Sequence, residues 1–526
     1  MQPKSSTEST WSRRTQVRCT AHPLPARSST DVCIVGGGIT GLTTAYLLAR
    51  AGSRVVVLES GELGSGETCR TTAHLASALD DRFVRLEQLH GAEGARLAAE
   101  SHAEAIDAIE HILKSEAIDC DFTRVNGYLY LGPSDTRADL EREAQAAQRA
   151  GLTVELLETP VGPPLAAGPC LRFANQAQFD PLRYLQGLVW AIERLGGLLY
   201  EHAHVEKCQA GTPTSAVTRT GEQVDANALI VCTNTPVNDL FVVHTKQVAY
   251  RTYAMTFAIA KDAIPPGLYW DMDDPYHYVR LEGTPLPDGR AKLIVGGADH
   301  RTGEGDHPDA RWDHLEAWAR SKIEPAEEVV DRWSGQCLEP ADGLAFIGKN
   351  PADGPGVFIA TGDSGHGLTH GTIAAILFGH LVAGKPHRWE KLYDPRRISL
   401  RALGTMAKDG AETLAHYGDW LLPIDVPSEL GIEYGEGATV MDGMRRLAVF
   451  RDEHGTCHRF SAACPHLGGV MKWNPAEKSW DCPLHGSRFD AMGQVICGPA
   501  VENLRSMSEE APQLAPLAPA GLVLEE

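Results

Sequence analysis

The chain has 526 residues, a formal net charge of −21 at pH 7 and twelve scattered cysteines. This acidic balance disfavours nucleic acid and anionic membrane surfaces as partners, and the sequence contains no apolar run long enough to span a bilayer. The length predicts about three domains. We expect neither a nucleic-acid nor a membrane partner. The scattered cysteines fit a reducing compartment, so we expect a cytoplasmic protein.

The first thirty residues carry no recognisable structural pattern. They are polar and contain the pair Arg13-Arg14, but no apolar stretch follows that pair. A secretory or twin-arginine signal needs such a stretch, so the sequence does not indicate one. We expect residues 1–30 to be a loosely ordered lead-in.

A nucleotide-binding pattern follows the lead-in directly. Residues 31–35 read as a buried strand, a glycine turn leads into a helix with apolar periodicity, and residues 54–58 read as a second strand before an acidic residue. This is the dinucleotide-binding βαβ unit, in which the turn approaches a pyrophosphate and the acid binds a ribose. The candidate cofactor-binding residues are Gly36, Gly38, Ile39, Thr40, Gly41 and Glu59.

The middle of the chain alternates between helical and strand-like patterns. Residues 93–117 and 135–150 are rich in Ala and Glu at helical spacing, whereas residues 122–132 alternate like a strand. Several β-like runs then occupy residues 244–300. These patterns predict a mixed α+β region.

Two later segments add a second glycine-rich signal. They read EPADGLAFIGKNP from residue 339 and VFIATGDSGHGLTHG from residue 357. Together with the βαβ unit and the segment GSGETCRTTAH behind it, they resemble the D-amino-acid oxidase-like flavoenzymes, which include glycine and sarcosine oxidases. The resemblance covers residues 30–390 and implies bound FAD, with a helix N-terminus facing the flavin pyrimidine. The positions that match this second segment are Gly362, Gly365, Gly367 and Thr369.

The resemblance also implies an amine or an amino-acid-like compound as the substrate. No catalytic base is required for hydride transfer to flavin, so the candidates are pocket residues, each of which also has a packing or surface interpretation. These candidates are Arg70, His74, Tyr276, His277, Tyr278 and Arg280.

One position departs from the amino-acid oxidases of this family. Glu339 stands where the D-amino-acid and glycine types place an Arg that binds the substrate carboxylate. Either Arg280 takes over that contact, or the substrate is not a simple amino acid. Cys337 lies near the position at which sarcosine oxidases attach their flavin covalently, although a structural cysteine is the default interpretation.

Near the C-terminus, one Cys and one His are paired in each of two short loops. A [2Fe–2S] centre held by two thiolates and two imidazoles needs this set of ligands. A zinc finger or a disulfide is the less favoured alternative, because a finger groups like ligands together and a disulfide leaves both His unexplained. The segment resembles a Rieske domain over roughly the last hundred residues. The predicted metal ligands are Cys464, His466, Cys482 and His485.

The Rieske resemblance has two departures. Gly469 and Leu484 replace the two extra cysteines that form a bridge in high-potential members. Ser487 remains as a hydrogen-bond donor to a cluster sulfur, whereas Phe489 replaces a tyrosine that donates a second bond. We therefore expect a reduction potential below the top of the range of roughly −150 to +300 mV. The resemblance also implies that the exposed imidazole edges are the route for electrons.

The predicted architecture combines these modules. The fold class is an α/β FAD-binding Rossmann-like domain with an interleaved α+β substrate domain, followed by a small all-β Rieske domain. We expect the flavin fold to be complete by about residue 390. The predicted regions are a lead-in at 1–30, the flavin oxidoreductase at 31–390 with its substrate domain at about 120–165 and 245–330, a connector at 391–428 and the Rieske domain at 429–526.

The predicted function is that of an FAD-dependent dehydrogenase. It oxidises an amine or amino-acid-like substrate by hydride transfer and relays the electrons through the cluster to an unidentified external acceptor. A peroxide-forming amine oxidase with a structural cluster and a non-catalytic redox sensor remain open alternatives. A Rieske oxygenase would need a mononuclear iron site, for which the sequence shows no convincing segment.

Overall fold

The computed structural model describes residues 7–507 except 164, 166, 167, 239–242, 305–307, 324, 325 and 327. The helices are α1 (Ile39–Arg50), α2 (Phe83–Glu116), α3 (Arg137–Arg149), α4 (Pro181–Arg194), α5 (Pro308–Lys322), α6 (Gly367–Val382), α7 (Glu390–Tyr393) and α8 (Leu403–Ala415). Among the helices of this described part, none combines the length and the apolar composition that crossing a bilayer requires.

The strands fall into a long N-terminal set and a short C-terminal set. The N-terminal strands are β1 (Arg27–Val35), β2 (Val55–Leu58), β3 (His74–Leu75), β4 (Thr123–Tyr130), β5 (Val154–Leu157), β6 (Cys170–Gln178), β7 (Leu198–Tyr200), β8 (Val205–Gln209), β9 (Thr214–Thr218), β10 (Gln223–Val231), β11 (Gln247–Ile259), β12 (Leu268–Asp271), β13 (His277–Leu281), β14 (Ala291–Arg301), β15 (Glu328–Pro340), β16 (Phe346–Lys349) and β17 (Val357–Thr361). The C-terminal strands are β18 (Glu436–Asp442), β19 (Arg445–Arg451), β20 (Cys457–Ser461), β21 (Lys472–Asn474), β22 (Ser479–Asp481), β23 (Arg488–Asp490) and β24 (Val495–Cys497).

The first sheet is built around the strands of the βαβ unit. Its main order is β16-β17-β10-β1-β2-β7, and β8 and β9 extend it from β10. The central pairs β10–β1, β1–β2, β2–β7 and β10–β17 are parallel. Parallel strands that are covered on both faces consist of apolar residues, as residues 32–35 of β1 and the whole of β2 do. The carboxyl ends of such strands meet at one edge of the sheet, where ligands bind.

The second sheet covers that edge. Its order is β15-β11-β14-β13-β12-β4-β6-β3, with β5 added beside β6. Because its strands come from several separate stretches of the chain, the two sheets are interleaved rather than consecutive. The predicted combination of a Rossmann-like domain and an interleaved α+β domain is confirmed.

The C-terminal strands form two small antiparallel sheets. The first has the order β18-β19-β20 and the second has the order β21-β22-β23-β24. Trp480 and Phe489 are buried in their shared core. The predicted small all-β domain is confirmed, and α8 lies in the segment that connects it to the rest of the chain.

A buried carboxylate joins this small domain to the second sheet and to the segment between β2 and β3. Glu477, in the turn between β21 and β22, is 1% exposed and lies 3.6 Å from Arg70 and 3.5 Å from Arg251 on β11. Its third neighbour is Arg488 on β23, at 3.9 Å. Burial favours a raised pKa, but the three guanidinium groups outweigh it and lower the pKa of Glu477 to about 2. The interface is therefore built on a fully charged cluster.

The lead-in is packed against the protein. Trp11 is buried and its indole Nε1 donates a hydrogen bond to the carbonyl of Thr71 at 2.7 Å. Arg14 forms an ion pair with Asp180 at 2.6 Å. The expectation of a loosely ordered segment is therefore wrong for residues 7–30, and the first six residues lie outside the described part. The sequence could not reveal this packing, since one Trp and one Arg create no periodic pattern.

The charged interface makes a stability prediction. We expect Glu477→Gln to lower the free energy of unfolding by about 3–5 kcal/mol, because a neutral amide leaves Arg70 and Arg251 buried without their counter-charge. Chemical denaturation of the full-length protein measures this change. Glu453→Gln, at an exposed position in the same domain, is the control and should stay within about 0.5 kcal/mol of wild type.

The charge of Glu477 also makes the stability of the folded protein depend on pH. Its folded-state pKa, about 2, is below the ordinary value of 4.5, so its stabilising contribution is complete above about pH 4.5 and is lost as the pH falls towards 2. The stability difference between wild type and Glu477→Gln should shrink over that interval. Equal stability of the two proteins at neutral pH would contradict this account of the interface.

Candidate functional site

A large cavity lies at the carboxyl edge of the first sheet. Its volume is about 960 Å³, and its walls come from the first sheet, the second sheet and the C-terminal domain. The C-terminal contribution consists of residues 494–498 together with Ala500 and Asn503. The cavity wall therefore includes residues beyond 390, the point by which the sequence predicts the flavin fold itself to be complete. The reason is that the small domain packs directly against the cavity.

The predicted glycine turn forms one wall. Gly36 has a φ of +108°, and a Cβ atom there would overlap the carbonyl oxygen of Cys232. Gly41 does not line the cavity but lies against the backbone of the turn, where a Cβ would overlap the Gly36 carbonyl. Helix α1 begins directly after Gly38, which has no side chain to cap the first backbone N–H groups of the helix. A helix N-terminus of this kind can bind a pyrophosphate through those N–H groups. The predicted residues that line the cavity here are Gly36, Gly38, Ile39 and Thr40.

Glu59 follows β2 and also lines the cavity. Its carboxylate accepts hydrogen bonds from the backbone N–H of Gly37 at 2.6 Å and of Gly61 at 2.8 Å. These bonds hold the acid at the end of the strand, beside the glycine turn. The arrangement fits the ribose-binding role that the βαβ pattern predicts.

The second glycine-rich segment is split between two environments. Gly365 and Gly367 line the cavity, and α6 begins at Gly367. Gly362 and Thr369 lie behind the wall, where the Thr369 hydroxyl is 2.8 Å from Nδ1 of the buried His102. The N-terminus of α6 therefore faces the cavity, as that of α1 does. These two termini, the turn and Glu59 together fit FAD as the resident group.

A buried histidine group supports the start of α6. Nε2 of His102 is 3.2 Å from Nε2 of His370, and Nδ1 of His370 is 2.8 Å from the carbonyl of Asp363. Burial lowers the pKa of His370 to about 3, so this ring is neutral. The sequence carries no local sign of this group, because His102 lies 268 positions from His370.

Three of the predicted pocket residues line the far end of the cavity, namely His74, Tyr276 and Tyr278. The rings of His74 and Tyr278 meet edge to face at 5.5 Å. Burial, together with the nearby charge of Arg280, lowers the pKa of His74 to about 3. His74 is therefore a neutral wall residue.

The other pocket candidates have different surroundings. Arg70 lines the cavity, but its guanidinium is held by the Ser334 carbonyl at 2.9 Å and by Glu477. Arg280 lies outside the cavity beneath Trp11 and donates to the carbonyl of Thr72 at 2.5 Å.

His277 points to the opposite face of the strand from its two tyrosine neighbours, because side chains alternate along β13. Its ring stacks on Trp318 at 4.1 Å, and its Nδ1 is 3.0 Å from Asp271. His277 therefore does not line the cavity, and neither it nor Arg280 is placed to contact a substrate there.

The two predicted cluster loops have the same backbone design. Cys464 donates its N–H to the Gly469 carbonyl at 2.8 Å, and Cys482 donates its N–H to the Ser487 carbonyl at 2.9 Å. Both thiols are buried, and they lie close enough to share a hydrogen bond. The Ser487 hydroxyl lies beside the Cys464 sulfur, and it accepts the N–H of Ala500 at 3.1 Å. The loops thus bring the two sulfur ligands together.

The two imidazoles of the loops also meet. The ring centroids of His466 and His485 are 5.1 Å apart at an interplanar angle of 84°. Nδ1 of His485 is buried and has no hydrogen-bond partner among the described residues. Two adjacent thiols, two adjacent imidazoles and an uncommitted ring nitrogen fit a [2Fe–2S] cluster.

The cluster imidazoles are only partly exposed. His466 and His485 are both half-buried. The ring of His244, just ahead of β11, packs against them at centroid distances of 5.3 and 6.0 Å. Nothing in the sequence near residue 244 indicates this contact, because its partners lie more than two hundred positions away.

One side chain connects the cavity wall with the second cluster loop. Gln336 on β15 lines the cavity beside Cys337, and its Nε2 donates to the Gly486 carbonyl at 3.1 Å. Gly486 directly follows His485 in the chain. The same Nε2 is 3.7 Å from the sulfur of Cys497. The candidate flavin site and the candidate cluster site therefore share a wall one side chain thick.

Comparisons with known proteins agree with this two-part site. Residues 31–381 match the family described as FAD dependent oxidoreductase, and residues 423–508 match the Rieske [2Fe-2S] domain. YhfW of Bacillus subtilis (strain 168), described as a Rieske 2Fe-2S iron-sulfur protein, is 33% identical over 91% of this chain and 93% of its own length. The gamma-glutamylputrescine oxidoreductase of Escherichia coli (strain K12) is 29% identical over 68% of this chain and 85% of its own length. Glycine oxidase from Geobacillus kaustophilus, 20% identical, has a similar fold, with a TM-score of 0.57 over 70% of this chain and 100% of its own.

The glycine turn generates a prediction for flavin binding. We expect Gly38→Val to abolish it, because a Cβ there already lies 3.0 Å from the Thr68 hydroxyl and the valine methyl groups would occupy the phosphate position. Flavin absorbance per chain measures the outcome. Gly379→Val on α6, where a Cβ meets no atom within 4 Å, is the matched control and should keep its flavin. Full flavin content in Gly38→Val would be incompatible with this site.

The cluster loops generate a second prediction. The purified protein should contain two iron atoms and two acid-labile sulfides per chain, with the low average g-value that imidazole ligation produces in EPR. Cys464→Ser should lose the cluster, whereas Cys457→Ser on β20, outside both loops, should keep it. Zinc in place of iron, or equal loss of iron in both variants, would refute the assignment.

Proposed function

The chain belongs to the FAD-dependent oxidoreductase family and ends in a Rieske [2Fe–2S] domain, and from this premise we propose that it is an amine-oxidising dehydrogenase that delivers its electrons through the cluster to an external acceptor. The matches confirm the resemblance, the enzyme class and the two cofactors that the sequence predicted. The substrate class, the relay and the acceptor are the proposed part.

The proposed reaction balances as a two-electron oxidation. Bound FAD supplies the acceptor for a hydride from the substrate carbon next to nitrogen. The nitrogen releases a proton as the carbon–nitrogen double bond forms, and water then converts the imine to a carbonyl product and a free amine. The protein's own residues bind and orient: the N-termini of α1 and α6 and Glu59 hold the nucleotide, and neutral His74 and Tyr278 shape the substrate end.

The relay rests on the contact of Gln336 with Gly486. A [2Fe–2S] cluster takes one electron at a time, so it converts a two-electron oxidation into single-electron steps. Since both sites lie on one chain and share a wall, the transfer needs no diffusional encounter between separate molecules. This contact is the observation that carries the proposal.

A relative and a feature of the structure both support an amine as the substrate. The Escherichia coli relative is named as a gamma-glutamylputrescine oxidoreductase, which supports an amine as the compound oxidised here. Within the chain, Arg280 is the candidate to bind a substrate carboxylate in place of the missing Arg at position 339. It lies outside the cavity and donates to the carbonyl of Thr72, so it does not make that contact. None of the twelve cysteines, all of which lie in the described part of the chain, forms a disulfide, and this supports the proposed cytoplasmic location.

A peroxide-forming oxidase with a structural cluster is the second candidate. The observation that favours it is the packing of His244 against both cluster imidazoles, which hinders the approach of an external acceptor to their edges. In that case the electrons would pass to oxygen in the flavin cavity, and the small domain would serve to complete the cavity wall.

Rapid mixing under anaerobic conditions separates the two candidates. With an oxidisable amine in excess, the full-length protein should show loss of flavin absorbance first and cluster reduction second. Its turnover with a one-electron acceptor such as ferricyanide should then exceed its turnover with oxygen. A cluster that stays oxidised throughout turnover would overturn the relay and favour the oxidase.

The cluster-free variant Cys464→Ser provides the internal comparison. Substrate should still bleach its flavin, because the ligand loops lie outside the substrate end of the cavity. Its one-electron acceptor activity should fall at least tenfold if the cluster is the exit. Unchanged acceptor activity in this variant, with its flavin content intact, would contradict the relay.

A further inference from the structure

The substrate end of the cavity is acidic. Asp80, between β3 and α2, and Asp299, on β14, both line it. Burial raises the pKa of Asp299 to about 7, and Asp80 adds to the effect. Glu339 on β15 does not line the cavity but lies near it, and burial raises its pKa to about 8, again with neighbouring carboxyl groups adding to the effect. Raised pKa values of this kind arise where carboxyl groups gather without a counter-charge.

These carboxyl groups retain unused binding capacity. Asp80 accepts a hydrogen bond from the Tyr276 hydroxyl at 3.3 Å and lies 3.4 Å from Nε2 of His366. The Thr252 hydroxyl lies beside the Asp299 carboxyl group, but Oδ1 of Asp299 is buried with no hydrogen-bond partner in the described part of the chain. No described Lys or Arg lies within 4.0 Å of either carboxylate. A buried acceptor of this kind calls for a donor from outside the protein.

Aromatic rings lie near the two carboxylates and form part of the same surface. Tyr276 and Tyr278 line the cavity with their ring centroids 5.6 Å apart. The Tyr278 hydroxyl is held by the Thr252 hydroxyl at 2.8 Å, which fixes the orientation of its ring. The faces of such rings attract cations, and the attraction strengthens when water is excluded. Carboxylates beside aromatic faces form the chemistry that recognises an organic ammonium group.

The reacting amine is not the group that suits this surface. Oxidation needs a nitrogen lone pair to form the carbon–nitrogen double bond, whereas carboxylates stabilise the protonated form that lacks one. A substrate carboxylate would be repelled by the same groups. The surface therefore suits a second ammonium group that stays charged while the first amine is oxidised.

We infer that the acidic end of the cavity binds the non-reacting ammonium of a di- or polyamine substrate, held by Asp80 and Asp299 against Tyr276 and Tyr278. This inference rests on the proposed function, since it places the oxidised amine in the same cavity. It goes beyond that function by naming the substrate class and the residues that select it.

Three compounds of matched length test the class. 1,4-Diaminobutane, n-butylamine and 4-aminobutanoate each have a primary amine at one end and differ in the charge at the other. In anaerobic flavin bleaching, kcat/KM should be at least tenfold higher for the diamine than for n-butylamine, and lowest for 4-aminobutanoate. If n-butylamine or 4-aminobutanoate equals the diamine, the inference is wrong while the proposed function stands. If none of the three bleaches the flavin, the result counts against the proposed function, and the binding measurement below decides the inference.

Two variants and a control locate the site. Asp299→Asn and Asp80→Asn keep the shape of the side chain and should each raise KM for the diamine at least tenfold, with little effect on n-butylamine. Asp288→Asn, 51% exposed in the hairpin before β14, should leave both values unchanged. Equal effects of Asp299→Asn on the diamine and on n-butylamine would overturn the assignment.

A binding measurement removes the dependence on turnover. tert-Butylammonium has three N–H donors but no hydrogen on the carbon next to nitrogen, so it cannot be oxidised in this way. It should bind the flavin-loaded protein by calorimetry, whereas tert-butanol, a neutral molecule of similar size, should not. Asp299→Asn should weaken tert-butylammonium binding at least tenfold. Wild-type affinity in this variant, or no binding to wild type, would refute an ammonium site here.

Discussion

The structure depends on one buried ionic cluster. Glu477 meets Arg70, Arg251 and Arg488, which come from the flavin-site loop, the second sheet and the Rieske domain. Burying any one of these charges alone would cost several kcal/mol, so the three parts are favourable only in each other's presence. The Rieske domain is thereby bound in a defined position rather than tethered by its connector alone.

That position determines how the two cofactor sites relate. With the small domain fixed, Cys497 forms part of the cavity wall and Gly486 meets Gln336 at 3.1 Å. The same docking brings His244 against the two predicted imidazole ligands, which remain partly exposed. The proposed relay would therefore run inside the molecule, and His244 would limit access to the imidazoles from outside. Both effects follow from one interface.

The cavity carries charge of both signs. The N-termini of α1 and α6 present partial positive charge to it. Asp80 lies beside the α6 terminus, 3.4 Å from Nε2 of His366, and neither Asp80 nor Asp299 has a Lys or Arg partner in the described chain. The acidic groups therefore lie next to one of the two helix termini. Arg280, which could have neutralised them, is held against Trp11 outside the cavity.

The fold class, the family and both cofactors could be predicted from the sequence, as could the turn at Gly36 and the loops at Cys464 and Cys482. Pyrophosphate binding and iron–sulfur ligation need particular residue types within a few positions of each other, so their signals are local. The surroundings of Glu477, His244, Asp80 and Asp299, and the position of Arg280 outside the cavity, became known only from the tertiary structure. Each depends on contacts between residues about two hundred or more positions apart, and a burial or a charge pairing created at such distances leaves no periodicity or spacing in the sequence.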